Sequence, residues 1–245
     1  MRALLAAIAF LTRIPVGRAL VLDGADVARG SVFFPIVGAL IGAVTALVLQ
    51  LGGHALPPLA AAGIAIAAAA ILTGALHLDG LADAADALGG LTRERSLEIM
   101  RDSRVGSYGV VALICDLVVK AAVLSWLLTN RHLPVVIAAC ALSRATSVPL
   151  GLLLPYARAG EGKGRAVADG VTKWHALAAL GLAAAIAVLF AGSRGVLMTL
   201  AVLAATALFG LWCRRRFGGI TGDLLGANTE LCELLALILG VALWR

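Results

Sequence analysis

The sequence predicts an all-α fold: a polytopic transmembrane helix bundle of about seven spans, preceded by a short N-terminal interfacial helix. Of its 245 residues, 61% are hydrophobic and 14% charged, with a mean hydropathy of +1.00. A soluble domain carries about 25% charged residues. The apolar residues fall in blocks of roughly 20, the length at which a helix crosses the hydrocarbon core of a bilayer. These blocks lack the alternating pattern of an outer-membrane barrel. Backbone groups in lipid must be bonded internally, so helices are the solution.

The first apolar stretch, Ala3 to Leu11, is too short to span. A signal peptide would follow such a stretch with a small-x-small cleavage site, whereas Arg13, Pro15 and Arg18 come instead. It reads as an interfacial or re-entrant helix kept in the mature protein. The spans follow at 31–51, 57–76, 108–129, 133–155, 175–192, 195–213 and 224–244. Gly38-Ala-Leu-Ile-Gly42 in the first is a G-x-x-x-G pattern that lets helices approach closely, within the bundle or between subunits, the former being commoner. Cys115, Cys140, Cys213 and Cys232 lie in or at the ends of spans without C-x-x-C spacing, and read as packing residues. No internal repeat is evident, which weakens an inverted-repeat transporter reading. Gly160-Glu-Gly-Lys-Gly164 is a glycine-rich turn without P-loop order.

Basic residues fix the expected orientation. Arg2, Arg13, Arg18 and Arg29 precede the first span, and Arg93, Arg95, Arg101 and Arg104 follow the second. Arg158, Lys163, Arg165 and Lys173 follow the fourth, and Arg214, Arg215 and Arg216 the sixth. The alternate loops hold only Arg131, Arg194 and Arg245, while Lys120 and Arg144 lie within spans. The positive-inside rule therefore puts the N-terminus and the basic loops in the cytoplasm and the C-terminus outside. The sequence pI near 9.7 reflects this topology and contact with anionic headgroups, not nucleic-acid binding. The expected arrangement is one integral-membrane domain, 1–245, with cytoplasmic catalytic loops at about 77–107, 156–174 and 214–223.

Three blocks carry chemistry. In His77-Leu78-Asp79-Gly80-Leu81-Ala82-Asp83-Ala84-Ala85-Asp86, the three aspartates fall within an arc of roughly 60° on one helical face. Carboxylates so close repel one another. A solvated acidic face paired with Arg93 or Arg95 is the plain alternative, but such faces mix Lys with Glu. An all-aspartate face against an apolar span favours Mg²⁺, a hard cation that bridges to substrate phosphates. His77 lies roughly 200° from Asp79 on a continuous helix, which suits a substrate contact or proton carrier better than a metal ligand.

Met100-Arg101-Asp102-Ser103-Arg104-Val105-Gly106-Ser107-Tyr108-Gly109 sets two arginines around an aspartate. Arginine forks bind phosphate oxygens bidentately, so the block suits a diphosphate beside a fourth metal carboxylate. A positive-inside anchor would account for the arginines but not for Asp102. Gly218-Gly219-Ile220-Thr221-Gly222-Asp223-Leu224-Leu225-Gly226-Ala227-Asn228-Thr229-Glu230 opens the last span, with Asp223 and Glu230 on one face. Asp223 alone suits a helix cap. Glu230 and Glu233 lie deeper, where a charge costs about 2.5–3.5 kcal/mol, and Arg144 is their expected partner. Asp116 and Lys120, at i and i+4, are expected to neutralise each other, a structural role.

Together with F-F-P-I-V-G at 33–38 and S-R at 143–144, these blocks resemble the cobalamin synthase family, the adenosylcobinamide-GDP ribazoletransferases, over nearly the whole chain. The resemblance implies a Mg²⁺-dependent transferase of the phosphotransferase type in the cytoplasmic (inner) membrane. It would join α-ribazole, or its 5′-phosphate, to adenosylcobinamide-GDP, releasing GMP and forming adenosylcobalamin or its 5′-phosphate. It implies Asp79, Asp83, Asp86 and Asp102 as metal ligands and catalytic residues, with His77 or an aspartate taking the hydroxyl proton. It implies Arg101, Ser103, Arg104, Tyr108, Arg144, Thr221, Asp223, Asn228 and Glu230 as substrate or phosphate contacts. Both substrates and the lipid bilayer are the implied partners, with no nucleic acid; a homo-oligomer and docked enzymes of the same pathway are further options. A CDP-alcohol phosphotransferase shares the opening Asp79-Gly80 but would need Ala-Arg and a later G-x-x-x-D-x-x-x-D, absent in register. A transporter using Asp116, Lys120, Arg144 and Glu233 would leave the acidic face unexplained.

Overall fold

The computed structural model describes residues 1–16, 22–158 and 164–244; Arg18, Lys163, Arg245 and all but the last residue of the Gly160–Gly164 turn lie outside the described residues. The chain begins with α1 (Arg2–Leu11), which is the short N-terminal helix, and α2 (Gly24–Gly30), whose Asp23 and Asp26 form a capping box. Asp26 also binds Arg2 and Arg29 at 2.9 and 2.8 Å, tying α1 to α2.

The long helices follow the hydropathy blocks closely. They are α3 (Phe34–Gly52), α7 (Ser107–Thr129), α11 (Lys173–Ala191), α12 (Arg194–Phe217), α13 (Gly222–Ala242) and the stacked pair α8 (Pro134–Ala145) and α9 (Ser147–Leu153). With α2 continuing into α3 and α8 into α9, six helices are long and apolar enough to cross a membrane among the described residues. The remaining span is broken. α4 (Pro58–Thr73) and α5 (Leu76–Asp86) pass the same test together but are bent by 92°. A continuous second span running into the acidic face is therefore corrected. Gly74 and Ala75 both take left-handed backbone, at φ 64° and 56°, which no α-helix can propagate. The bend turns α5 across the end of α4. The 77–107 connection holds α5, helical at the aspartates as their spacing predicts, followed by α6 (Arg93–Ile99). In the 156–174 segment, α10 (Arg165–Gly170) packs beside α2.

Burial is arranged for lipid. Large side chains such as Leu47, Leu59, Ile71, Val118, Leu189 and Leu208 face outward, while alanines dominate the interior. Small residues inside let backbones pack closely where lipid supplies no hydrophobic drive for helix pairing. The α8–α9 span is the central pillar, 83% buried over its apolar window, and α13 is next at 67%. Gly38 and Gly42 are where α3 meets α8: a Cβ on Gly38 would lie 2.3 Å from the Cys140 carbonyl oxygen, and one on Gly42 2.8 Å from Ile137 Cα. The G-x-x-x-G pattern thus serves packing within the chain. Gly38→Val should lower stability by about 1–3 kcal/mol through overpacking, read as a lower melting temperature in detergent. An unchanged melting temperature would contradict that contact.

Candidate active site

Two of the sequence blocks meet because two glycines face each other. A Cβ on Gly80 of α5 would lie 2.6 Å from the Asp223 carbonyl oxygen and 3.1 Å from Gly226 Cα, and one on Gly226 3.4 Å from Gly80 Cα. No side chain separates α5 from the start of α13, so the residues flanking each glycine share one site. Asp83 is half-buried and feels the negative charges of Asp223, Asp79 and Asp86, relieved by the positive charge of Arg158. Asp223 pairs with Arg158 at 2.7 Å.

This junction borders a cavity of about 570 Å³, lined among others by His77, Asp79, Arg101, Arg144, Tyr156, Arg158, Asp223 and Thr229. Phe10 and Leu11 of α1 and Val167 of α10 supply apolar wall. A concave pocket of this size, walled by polar and apolar side chains in about equal measure, can enclose a charged ligand and grip it by its polar groups. His77, expected to face away from Asp79, lines the same cavity. The helix starts only at Leu76, so both residues belong to its first turn, around which the cavity wraps.

The four aspartates expected to share a metal are divided. Asp86 accepts hydrogen bonds from the backbone N–H of Gly106 and Gly109, at 2.7 and 2.8 Å, and so caps the start of α7. Its charge is favourable there, since it meets unsatisfied N–H groups at the positive end of the helix. Asp102 accepts from Arg104 Nε and Nη2 at 3.0, 3.1 and 2.6 Å. That fork holds its carboxyl down at about 2. Asp79 and Asp83 stay with the cavity junction. Among the described residues no group of three or more His, Cys, Asp or Glu is placed to hold a metal ion.

The expected substrate contacts also divide. Arg101, Arg144 and Asp223 line the cavity. Arg104 and Tyr108 line a neighbouring open groove of about 810 Å³, which Arg101 shares, and Ser103 is exposed in the adjoining turn. Thr221 is buried and caps α13, accepting from Leu224 N at 3.2 Å. Asn228 is buried with its amide oxygen toward Cys232. Glu230 is buried against Lys120, in a cluster that also joins Lys120 to Asp116 and Glu233, and Glu233 to Arg144. The Glu233–Arg144 partnership agrees with the sequence reading, whereas Lys120 serves three carboxylates rather than Asp116 alone. Lys120, Arg144, Glu230 and Glu233 of that cluster supply part of the wall of a small cavity of about 40 Å³, which shares His77 and Arg144 with the larger one.

Arg158, Tyr156 and Thr229 also line the cavity but were not among the expected site residues, although the first two lie in the expected catalytic loop at 156–174. Arg158 and Tyr156 sit in the undistinctive linker after α9 and are brought in by backbone pairing. Ala157 N donates to Ile220 O at 2.8 Å, and Ile220 N to Pro155 O at 2.9 Å. Nothing local in the sequence marks that bridge. Thr229 lies within the third block, between the assigned Asn228 and Glu230, and its place on that helix is the signal that could have found it.

Comparison with known proteins bears on the same residues. The family model described as cobalamin-5-phosphate synthase matches residues 3–241. Curated relatives named adenosylcobinamide-GDP ribazoletransferase include that of Leptothrix cholodnii, 42% identical over 94% of this chain and 91% of its own. Those of Azorhizobium caulinodans (42% identical, 98% of this chain and 94% of its own) and Escherichia coli O127:H6 (41%, 95% and 96%) are similar along nearly their whole lengths. No solved structure matches. A match over almost the entire sequence, including every block that builds the cavity, shows that the chain belongs to the cobalamin-5-phosphate synthase family.

Proposed function

We propose that the cavity joins α-ribazole, or its 5′-phosphate, to adenosylcobinamide-GDP, releasing GMP and forming adenosylcobalamin or its 5′-phosphate. The observation that carries this reading is the Gly80–Gly226 contact, which gathers Asp79, Asp83 and Asp223 beside the cavity that Arg101, Arg144 and Arg158 line. Acids for a cation and arginines for phosphate oxygens are the two halves of a diphosphate site.

A ribose hydroxyl of the acceptor attacks the phosphorus on the cobinamide side. A new P–O bond forms, the bond from that phosphorus to the bridging oxygen breaks, and GMP carries that oxygen away. The hydroxyl proton passes to a base, for which Asp79, Asp223 and His77 line the cavity. The guanidinium groups orient the diphosphate and offset charge growing on the leaving phosphate.

Magnesium suits these acids as an ion shared with substrate rather than one enclosed by protein. Mg²⁺ commonly takes one or two carboxylates and completes its shell with phosphates and water. Asp79 and Asp83 would hold it, with Asp223 close by. When bound it withdraws charge from the diphosphate and steadies the leaving group. Asp86 and Asp102 are already engaged elsewhere. The basic loops support a cytoplasmic (inner) membrane location with the N-terminus inside and the cavity facing the cytoplasm.

The test is purified full-length protein in lipid nanodiscs, given adenosylcobinamide-GDP and α-ribazole, with GMP release followed. Release should need both substrates, stop with EDTA and resume with added Mg²⁺. No GMP under any divalent ion would overturn the reading, and EDTA-resistant release would remove the metal from it.

A further inference from the structure

We infer that Glu233 and Lys120 are positioning residues, holding Arg144 as an anion receptor at the cavity for the substrate diphosphate; this rests on the reading of the cavity just given. Three spans converge on the groups concerned. Glu233 of α13 turns one carboxylate oxygen to Lys120 Nζ of α7 at 3.2 Å and the other to Arg144 Nη1 of α8. Lys120 is also bonded to Glu230 and lies 3.4 Å from Asp116. Ser143 Oγ accepts from Arg144 Nη1 at 2.9 Å.

All five ionised side chains are more than nine-tenths buried by residue. Stability does not account for such a cluster. Replacing buried ion pairs with well-packed apolar groups is often neutral or stabilising, and charges within a span are costly. The cluster reaches the large cavity directly through Arg144, the member that lines both that cavity and the small one beside it, next to His77, which also lines both. With Nη1 committed to Glu233 and Ser143, the guanidinium is locked in one orientation. Its buried Nε has no hydrogen-bond partner among the described residues, a donor left unused. Lys120 shares Glu233, so that carboxylate anchors Arg144 without belonging to it alone, and the cation remains available to an incoming anion. A fixed donor binds more tightly than one that must be ordered on binding.

The experiment compares wild type, Glu233→Gln and Glu233→Asp in nanodiscs. It measures affinity for inorganic pyrophosphate, KM for each substrate, and melting temperature. Glu233→Gln keeps the shape and loses the charge. It should weaken pyrophosphate binding and raise KM for adenosylcobinamide-GDP about 10-fold, as befits loss of a charge-assisted hydrogen bond, with KM for α-ribazole unchanged. Glu233→Asp should recover most of the loss. If both KM values rise together, or pyrophosphate affinity is unchanged in Glu233→Gln, the positioning role is refuted even though wild type turns over. If pyrophosphate binding follows Glu233 while wild type releases no GMP, the positioning role stands and the substrate reading falls. Should Glu233→Gln fail to fold, Lys120→Met, read by the same KM split, decides the question.

Discussion

Asp83→Asn is expected to cut Mg²⁺-dependent GMP release by orders of magnitude while leaving the protein folded. Asp83 is half-buried on α5, with the charges of Asp223, Asp79 and Asp86 all acting on it and only Arg158 opposing them. A carboxylate in that position is unfavourable to the isolated protein, first because burial strips water from the charged form and then because like charges at short range repel. The amide has nearly the same shape and removes one of the repelling charges, so melting temperature should hold or rise. Turnover should fall by roughly 10²–10³-fold, the scale of losing one group that stabilises transition-state charge. The measurement is a Mg²⁺ titration of GMP release alongside thermal melting. Unchanged turnover with an unchanged Mg²⁺ midpoint would refute the metal role of Asp83. A lost activity accompanied by a collapsed melting curve would mean that the residue serves the fold.

Gly80→Val should be equally damaging for the opposite reason, acting through geometry rather than charge. Even the first carbon of a side chain would lie 2.6 Å from the Asp223 carbonyl oxygen, which belongs to backbone and cannot swing aside. The α5–α13 contact must open, and Asp79 and Asp83 then move away from Asp223 and Arg158. Overpacking of this kind costs about 1–3 kcal/mol, and more where backbone must shift. Low yield, a lower melting temperature and loss of GMP release are expected together. Gly63 on α4 has nothing within 4 Å of its would-be Cβ, so Gly63→Val should stay close to wild type in both. If Gly80→Val retained full turnover, the close crossing of α5 and α13 would not be what assembles the site.

The fold was legible because hydropathy is a one-dimensional property and a bilayer imposes one length scale on it. The expected span at 108–129 and the helix Ser107–Thr129 differ by one residue, and 224–244 and Gly222–Ala242 by two. The second span was read too simply, since the blocks on either side of Gly74 are both apolar and helical. Only the left-handed pair at Gly74 and Ala75 separates them. Ala75 gives no hint of this, because alanine rarely adopts that conformation without tertiary support.

The site was legible in type and less so in partnership. Helical spacing correctly put Asp79, Asp83 and Asp86 near one another, but Asp86 is at the far end of α5, where the N–H groups of the next helix claim it. Asp102 was read as a fourth ligand because it stands between two arginines. That same neighbourhood is why Arg104 takes it. Lys120 was paired with its nearest acid in sequence, whereas a side chain buried between helices answers to whatever the facing helix presents.

By itself the sequence determined the membrane class, the position of the spans, the placement of basic loops, and the three blocks whose acids and arginines suit a diphosphate. Tertiary structure alone decided which acids remain uncommitted, that Arg158 joins them from an unremarkable linker, and that Arg144 is held by Glu233 and Lys120 from two other spans. The physical reason is that periodicity along one helix sets only the direction of a side chain. What stands opposite is set by where helices cross, and here that is governed by glycines more than a hundred residues apart in the chain, Gly80 and Gly226.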